Sequence, residues 1–342
     1  MAASQQDILD YLQRYQDLVD DWDAFTAAMV QPQPTCIWRT EKFPRELFQQ
    51  WLAQQDLLDA AKEQHWASNL KGDIWRMPAN ASFGGTWPFF AGMLAVMDES
   101  SHLPTALLDP KPGERVLDLC AAPGMKTARI AKQMQNTGMV LAVDVNRKRL
   151  KSLVQSCERL SLANVMIAQV NGGNLPGQFG PFDRVLVDVP CSCEGTVRKN
   201  EMSLKELRAD FARLKGGTQR ALLRKAMQLC KPGGRVVYST CTFDPAENEA
   251  VVDDVLADFQ EAILLPARLE GLDIAPGVQE WCGRTYAHEM QACGRLWPHR
   301  VDTGGFFVAV IQKGHAEVQP QDADVQPQDA DVQPQDADVQ PQ

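Results

Sequence analysis

No run of this 342-residue sequence approaches the roughly 20 consecutive apolar residues of a membrane span. Its first ten residues lack the basic-then-apolar order of a secretory signal. The expectation is a globular, cytoplasmic protein without a membrane partner. A disulfide framework is equally absent: the nine cysteines are odd in number and irregularly spaced. Several (Cys120, Cys157, Cys230) fall in expected strands or helices, where a buried free thiol is the default. Cys191 and Cys193 form a Cys-x-Cys with no second pair and no nearby histidine, so no four-ligand zinc site is expected and no metal is assigned. Also missing are the Gly-x-Gly-x-x-Gly of a dinucleotide fold and the Gly-Lys-Ser/Thr of a phosphate loop, which disfavours NAD and ATP.

The net charge of −10 would ordinarily argue against a polyanionic partner, but much of it is local. Residues 318–342 carry six aspartates and no Lys or Arg, leaving a near-neutral body that can still present a basic face. That tail repeats VQPQDAD three times and ends in VQPQ. With a proline and one large apolar residue per repeat it cannot bury a core, so 315–342 is expected to be a disordered acidic repeat tail.

Apolar residues at three- and four-residue steps predict one amphipathic helix over residues 1–30. After a Gln-Pro break, Thr35–Thr40 reads as a strand, Pro44–Leu58 as a helix and Phe89–Ser101 as a short helix. Together, residues 1–101 read as a helical and small α/β extension. From Asp109 strands alternate with helices at the spacing of a doubly wound sheet. Strands are expected at Arg115–Cys120, Met139–Val145, Asn164–Val170, Asp183–Val189, Arg235–Cys241 and Gly305–Gln312. The intervening helices are Gly124–Gln135, Asn146–Leu160, Ser203–Cys230 and Pro245–Ala257. Residues 102–314 form this second domain.

Two of these strands end in the same way. Arg184–Val189 is a β-branched run stopped by Pro190, with Asp188 and Cys191 at its C-terminal end; Arg235–Thr240 ends at Cys241. Ligands bind at that edge of open α/β sheets, so two strands can deliver two thiols and an acid to one pocket. The first strand runs through Asp118 and Cys120-Ala121-Ala122-Pro123-Gly124-Met125-Lys126, a small-residue turn into a helix start that lets a ligand approach the backbone. Asp144, about twenty residues on, suits ribose hydroxyls, or alternatively a helix cap. Asn171 can hydrogen-bond a base edge.

The blocks LDLCAAPGMKT, AVDV, DVPCSCEGTVRKN, GGRVVYSTCTFDPAENEAVV and RLWPHRVDTGGFFVA, in this order, resemble the Nol/Nop/Sun family of S-adenosylmethionine-dependent RNA cytosine-5 methyltransferases over roughly residues 85–313. The resemblance implies a Rossmann-like class I methyltransferase sheet, with the N-terminal extension gripping RNA. It implies S-adenosyl-L-methionine held by Cys120 to Lys126, Asp144, Arg149, Asn171 and Asp188. It further implies Cys241 as nucleophile and Cys191 as the residue assisting product release. Met125, Asn171 and Cys193 depart from the family pattern, which usually has Gly, an acid and Gly there.

Cytosine C5 is too weak a nucleophile to take a methyl group unaided. A thiolate adding at C6 turns the ring into an enamine whose C5 can attack. In this reading Asp188 binds N3 and the amino group, and Lys126 is the cation placed to lower the thiol's pKa. Nine basic residues against three acids between Arg198 and Lys225 predict a phosphate-contacting rim, and the expected partner is RNA, with ribosomal RNA favoured and transfer RNA as the alternative substrate. Two alternatives use the same residues. A DNA cytosine-5 methyltransferase would take the Pro-Cys thiol as nucleophile, against which the Ser-Thr-Cys segment argues; a non-catalytic RNA-binding or ribosome-assembly module would keep only the fold.

Overall fold

The computed structural model describes residues 5–67, 72–199 and 211–314. The repeat tail and the start of the helix expected from Ser203 lie outside the described residues.

The N-terminal stretch is not one helix. It breaks into Gln5–Leu12, a 3-10 segment Gln13–Leu18 and Trp22–Met29, because Asp21 caps the last piece by accepting from Ala24 N at 2.9 Å. The apolar stripe survives the breaks. Leu12, Tyr15 and Phe25 are fully buried and pack with Val197, Phe243 and Trp297 of the following sheet domain, where Phe243 stacks flat on Trp297.

Four strands then form a small antiparallel sheet: β1 (Thr35–Arg39), β2 (Lys62–Gln64), β3 (Asp73–Met77) and β4 (Leu94–Val96), in the order β2-β3-β1-β4. The helix expected over Phe89–Ser101 is therefore a correction. Trp87–Phe90 is α-helical and Glu99–His102 a 3-10 turn, with a strand between them. Gly92, at φ 67°, ends the α-helix where a Cβ would stand 2.0 Å from the Arg159 carbonyl, and β4 then pairs with β1 through Ile37 and Val96. Strand pairing overrides the local helix preference.

The larger sheet holds β5 (Arg115–Asp118), β6 (Met139–Asp144), β7 (Val165–Gln169), β8 (Phe182–Asp188) and β9 (Cys230–Thr240). Later in the chain come β10 (Ile263–Leu265), β11 (Ala275–Pro276), the separate hairpin of β12 (Glu280–Trp281) and β13 (Arg284–Thr285), β14 (Gly294–Leu296) and β15 (Phe306–Gln312). The order is β11-β14-β15-β9-β8-β5-β6-β7, with β10 also on β15. The run β9-β8-β5-β6-β7 is parallel, and β15 closes antiparallel on β9. The middles of the central strands are apolar, as covering on both faces requires. Val185, Val187 and Tyr238 pack under Leu222, Leu223 and Met227 on one side, while Leu186 and Val237 meet Leu103, Ile130 and Met134 on the other. Each such fully buried side chain contributes about 1.5–3 kcal/mol. That rigid layer fixes the strand ends from which the site is built.

Candidate active site

β8 and β9 run side by side with Asp188 opposite Ser239. Ser239 Oγ donates to Asp188 Oδ1 at 2.7 Å, and Lys126 Nζ donates to Oδ2 at 2.8 Å. Pro190 has no N–H to continue the ladder, so the chain leaves the sheet there. This exit places Cys191 Sγ 3.4 Å from Cys241 Sγ, which follows the end of β9. The sequence expectation that two strand ends bring two thiols and an acid together is met. The fold also adds Cys193, 4.0 Å from Cys191.

The loop that carries these thiols is tied down from below by residues the sequence reading did not single out. Buried Glu247 accepts from Ser192 N at 3.1 Å and from Gln219 Nε2 at 2.7 Å, and Gln219 also donates to the Pro190 carbonyl. Burial pushes the Glu247 carboxyl up to about 7. Ser192 Oγ donates to Thr242 Oγ1, which donates in turn to Glu194 Oε2 at 3.0 Å. Glu194 is fully buried and accepts from Tyr11 and Tyr15 hydroxyls at 2.7 Å each and from Arg14, so the N-terminal helical stretch locks onto the active-site loop. Gly195 N donates to the Cys241 carbonyl, and a Cβ at Gly195 would lie 2.2 Å from the Gly305 oxygen. Only glycine fits that crossing. Glu247 and Gly305 lie inside blocks the sequence made conspicuous, but their partners are distant in the chain and leave no local periodic signal.

Cys120, Lys126, Asp144, Arg149, Asn171, Asp188, Cys191, Cys193 and Cys241 all line one cavity of about 730 Å³. Val145 and Phe306, which sequence reasoning missed, join them. Ala121, Ala122, Pro123, Gly124 and Met125 instead line an adjoining recess of about 290 Å³ that shares Cys120, Lys126 and Asp188. Asp144 does not cap the helix Arg147–Leu160; Asn146 does, accepting from Lys148 N and Arg149 N. The buried Asp144 carboxylate, which lines the cavity, accepts from Ala122 N at 3.1 Å and Asn146 N at 2.8 Å, and each oxygen keeps a further lone pair. Asn171 Oδ1 accepts from Gly173 N at 3.0 Å.

The electrostatics differ from expectation at Lys126. Burial opposes its charge, but the Asp188 carboxylate outweighs burial and raises the ammonium's pKa, so this cation serves the acid. Cys191 would draw the Cys241 thiol down, yet the hydrogen bond with Cys193 and burial hold it well above the usual value. Cys193 is drawn down by hydrogen bonding first with Cys191, then with Cys241. Beneath them Asp118, pushed up to about 7 by burial, accepts from Thr127 at 2.7 Å and joins β5 to the helix Met125–Gln133.

The basic rim needs correction. Arg198 is held by Asp302 and by the Gln31 and Thr303 carbonyls with its side chain 2 % exposed, and Arg220 and Arg224 pair with Asp254 and Asp258. These arginines bind the protein to itself. Lys215 lines the cavity and Lys199, paired with Asp98, remains half exposed. Lys205 and Arg208 lie outside the described residues.

A parallel sheet closed by an antiparallel strand, with its cavity at the C-terminal strand ends, defines an α/β Rossmann-like methyltransferase fold. The family model described as 16S rRNA methyltransferase RsmB/F matches residues 105–312, and the chain belongs to that family. It is 37% identical over 240 residues to the tRNA (cytosine(49)-C(5))-methyltransferase of Pyrococcus abyssi, covering 68% of this chain and 75% of that protein. It is 36% identical over 250 residues to ribosomal RNA small subunit methyltransferase F of Aeromonas salmonicida, covering 71% of this chain and only 50% of the relative. The crystal structure of a methyltransferase homolog from Pyrococcus horikoshii superposes with a TM-score of 0.76 at 30% identity, over 92% of this chain and all of that one. The Pyrococcus horikoshii NSun6 structure with SFG, at 21% identity and a TM-score of 0.70 over 90% of this chain and 97% of that one, shares the fold. Among the described residues no helix is long and apolar enough to cross a membrane.

Proposed function

We propose that the protein is an RNA cytosine-5 methyltransferase that uses S-adenosyl-L-methionine and works through a covalent bond between Cys241 and cytosine C6. The observation that carries this reading is the meeting of Cys191 and Cys241 at 3.4 Å in the cavity that also presents Asp188 and Asp144. The cavity suits the cofactor: Asp144 offers acceptors at a strand end, Asn171 an amide and exposed Val145 an apolar face. When bound, S-adenosylmethionine supplies an electrophilic methyl group.

The chain's own residues do the rest. Asp188, fixed by Ser239 and Lys126, accepts from the cytosine amino group and passes a proton to N3, which neutralises the negative charge that builds on the ring as sulfur adds. The Cys241 thiol gives up its proton, which passes by way of Asp188 or solvent to N3, as its sulfur bonds to C6, so that C5 becomes nucleophilic and is methylated. Removal of the C5 proton then re-forms the C5–C6 double bond and expels the Cys241 thiolate. Cys191, adjoining that sulfur, assists this last step. The base must be single-stranded or flipped to enter. Ribosomal RNA is the favoured substrate, supported by the description of the matching family; the transfer-RNA relative makes tRNA the second.

The test separates the cysteines. Cys241→Ala should abolish methyl transfer and give no adduct; Cys191→Ala should accumulate a protein–RNA adduct that survives denaturing electrophoresis. An adduct in Cys241→Ala but none in Cys191→Ala would reverse the assignment. Labelled cofactor with separate pools of ribosomal RNA, transfer RNA and DNA identifies the substrate.

A further inference from the structure

The three sulfurs of Cys191, Cys193 and Cys241 lie within 4.8 Å of one another, although they come from two segments that sequence spacing could not connect. The first two are 4.0 Å apart and Cys241 is 3.4 Å from Cys191. A tetrahedral zinc ion with Zn–S bonds of about 2.3 Å requires sulfurs roughly 3.8 Å apart, so the existing triangle needs only small side-chain adjustment to close on such an ion. All three cysteines line the cavity, so a solvent molecule from the cavity can take the fourth position. Soft thiolates select thiophilic ions over magnesium or calcium.

We propose that Cys191, Cys193 and Cys241 form a three-thiolate site for a thiophilic divalent cation of the zinc or cadmium type, and that its occupation blocks the pocket. Binding replaces the remaining thiol protons, which pass to solvent, with metal–sulfur bonds; no oxidant or reductant takes part. The metal takes the sulfur that must attack C6, so occupied protein cannot form the adduct. Only this second consequence rests on the proposed function. Cys193 is the discriminating residue: it completes the triangle, and its left-handed backbone, φ 62°, accepts glycine without strain.

The experiment uses the full chain with exposed Cys282 replaced by serine, kept reduced with a phosphine and titrated with Cd²⁺ while sulfur-to-metal charge-transfer absorption is recorded. One ion per chain should bind. Because losing even an outer partner of a bound metal costs about 10–100-fold in affinity, Cys193→Gly and Cys193→Ser should weaken binding at least that much. Zinc should inhibit methyl transfer by the Cys193-containing protein and a chelator should reverse this, and the zinc concentration that halves the rate, measured against each protein's own zinc-free rate, should rise at least about tenfold in Cys193→Gly. Absence of stoichiometric cadmium binding, or equal binding with and without Cys193, overturns the proposal. If no RNA is methylated under any condition, the proposed function fails while the absorption titration still decides the metal site.

Discussion

Asp118 offers a quantitative test of how the buried layer beneath the cavity is built. Its side chain is buried, Oδ2 accepts from Thr127, and Oδ1 has no hydrogen-bond partner among the described residues. Burial therefore favours the protonated form and lifts the carboxyl from 3.8 to about 7. The folded state holds a proton that the unfolded chain releases near 3.8, so this group's contribution to stability is fully present below that pH. It is lost as pH rises through about 7. At about 1.4 kcal/mol per pH unit, that interval corresponds to roughly 4 kcal/mol. Asp118→Asn keeps the shape and the acceptor for Thr127 but cannot titrate. Its unpaired amide adds a cost that does not change with pH, so the informative quantity is the change in the stability difference. Relative to wild type, the variant should gain on the order of 4 kcal/mol between pH 4 and pH 8, read from urea unfolding followed by tryptophan fluorescence. Glu247, raised in the same direction, is common to both proteins and cancels. Parallel pH curves for the two proteins would refute the argument and mean that Asp118 is ionised and compensated in the fold.

Glu194→Ala should destabilise the protein by about 1–3 kcal/mol, because the Tyr11, Tyr15 and Thr242 hydroxyls lose their buried acceptor while Arg14, a third exposed, keeps Asp244; denaturant unfolding measures this, and an unchanged stability would mean those hydroxyls find water instead. Asn171→Asp should bind S-adenosylmethionine as tightly as wild type or more tightly. It keeps an acceptor for Gly173 N and places a carboxylate where the amide stood; a clear loss in calorimetric titration would show that Asn171 acts as a donor.

The larger sheet was legible because its strands are long apolar runs punctuated by Pro, Gly or Asp. Expected Asp183–Val189 and observed Phe182–Asp188 differ by one residue at each end. The N-terminal region was less so. Leu94–Val96 has no signal of its own and becomes a strand only because Thr35–Arg39 lies alongside. The pair of thiols could be read from two strand ends of like design, whereas the third sulfur could not: zinc-site spacing rules look for a second local pair, and Cys241 enters from 50 residues away. Charge counting misled for a related reason. Composition registers nine cations near the pocket but cannot see that Arg198, Arg220 and Arg224 already face aspartates.

The same limitation applies to Lys126, and it bears on how the nucleophile is activated. A lysine close to a cysteine suggests a standing ion pair that keeps the sulfur deprotonated. In the fold Lys126 is bonded to Asp188, and the Cys241 thiol is held above its usual value by Cys193, burial and the Asp188 charge. Activation in the resting pocket is therefore weak, which protects a half-buried thiol from indiscriminate alkylation. If cytosine engages Asp188 through N3 and its amino group, the carboxylate's charge is shared with the base, and its repulsion of the developing thiolate falls while Lys126 stays in place. Deprotonation of Cys241 then becomes favourable when the ring to be attacked is present. Under the proposed function the Asp188–Lys126 pair would couple substrate recognition to nucleophile formation, a role that depends on both oxygens of Asp188 being anchored by Ser239 and Lys126.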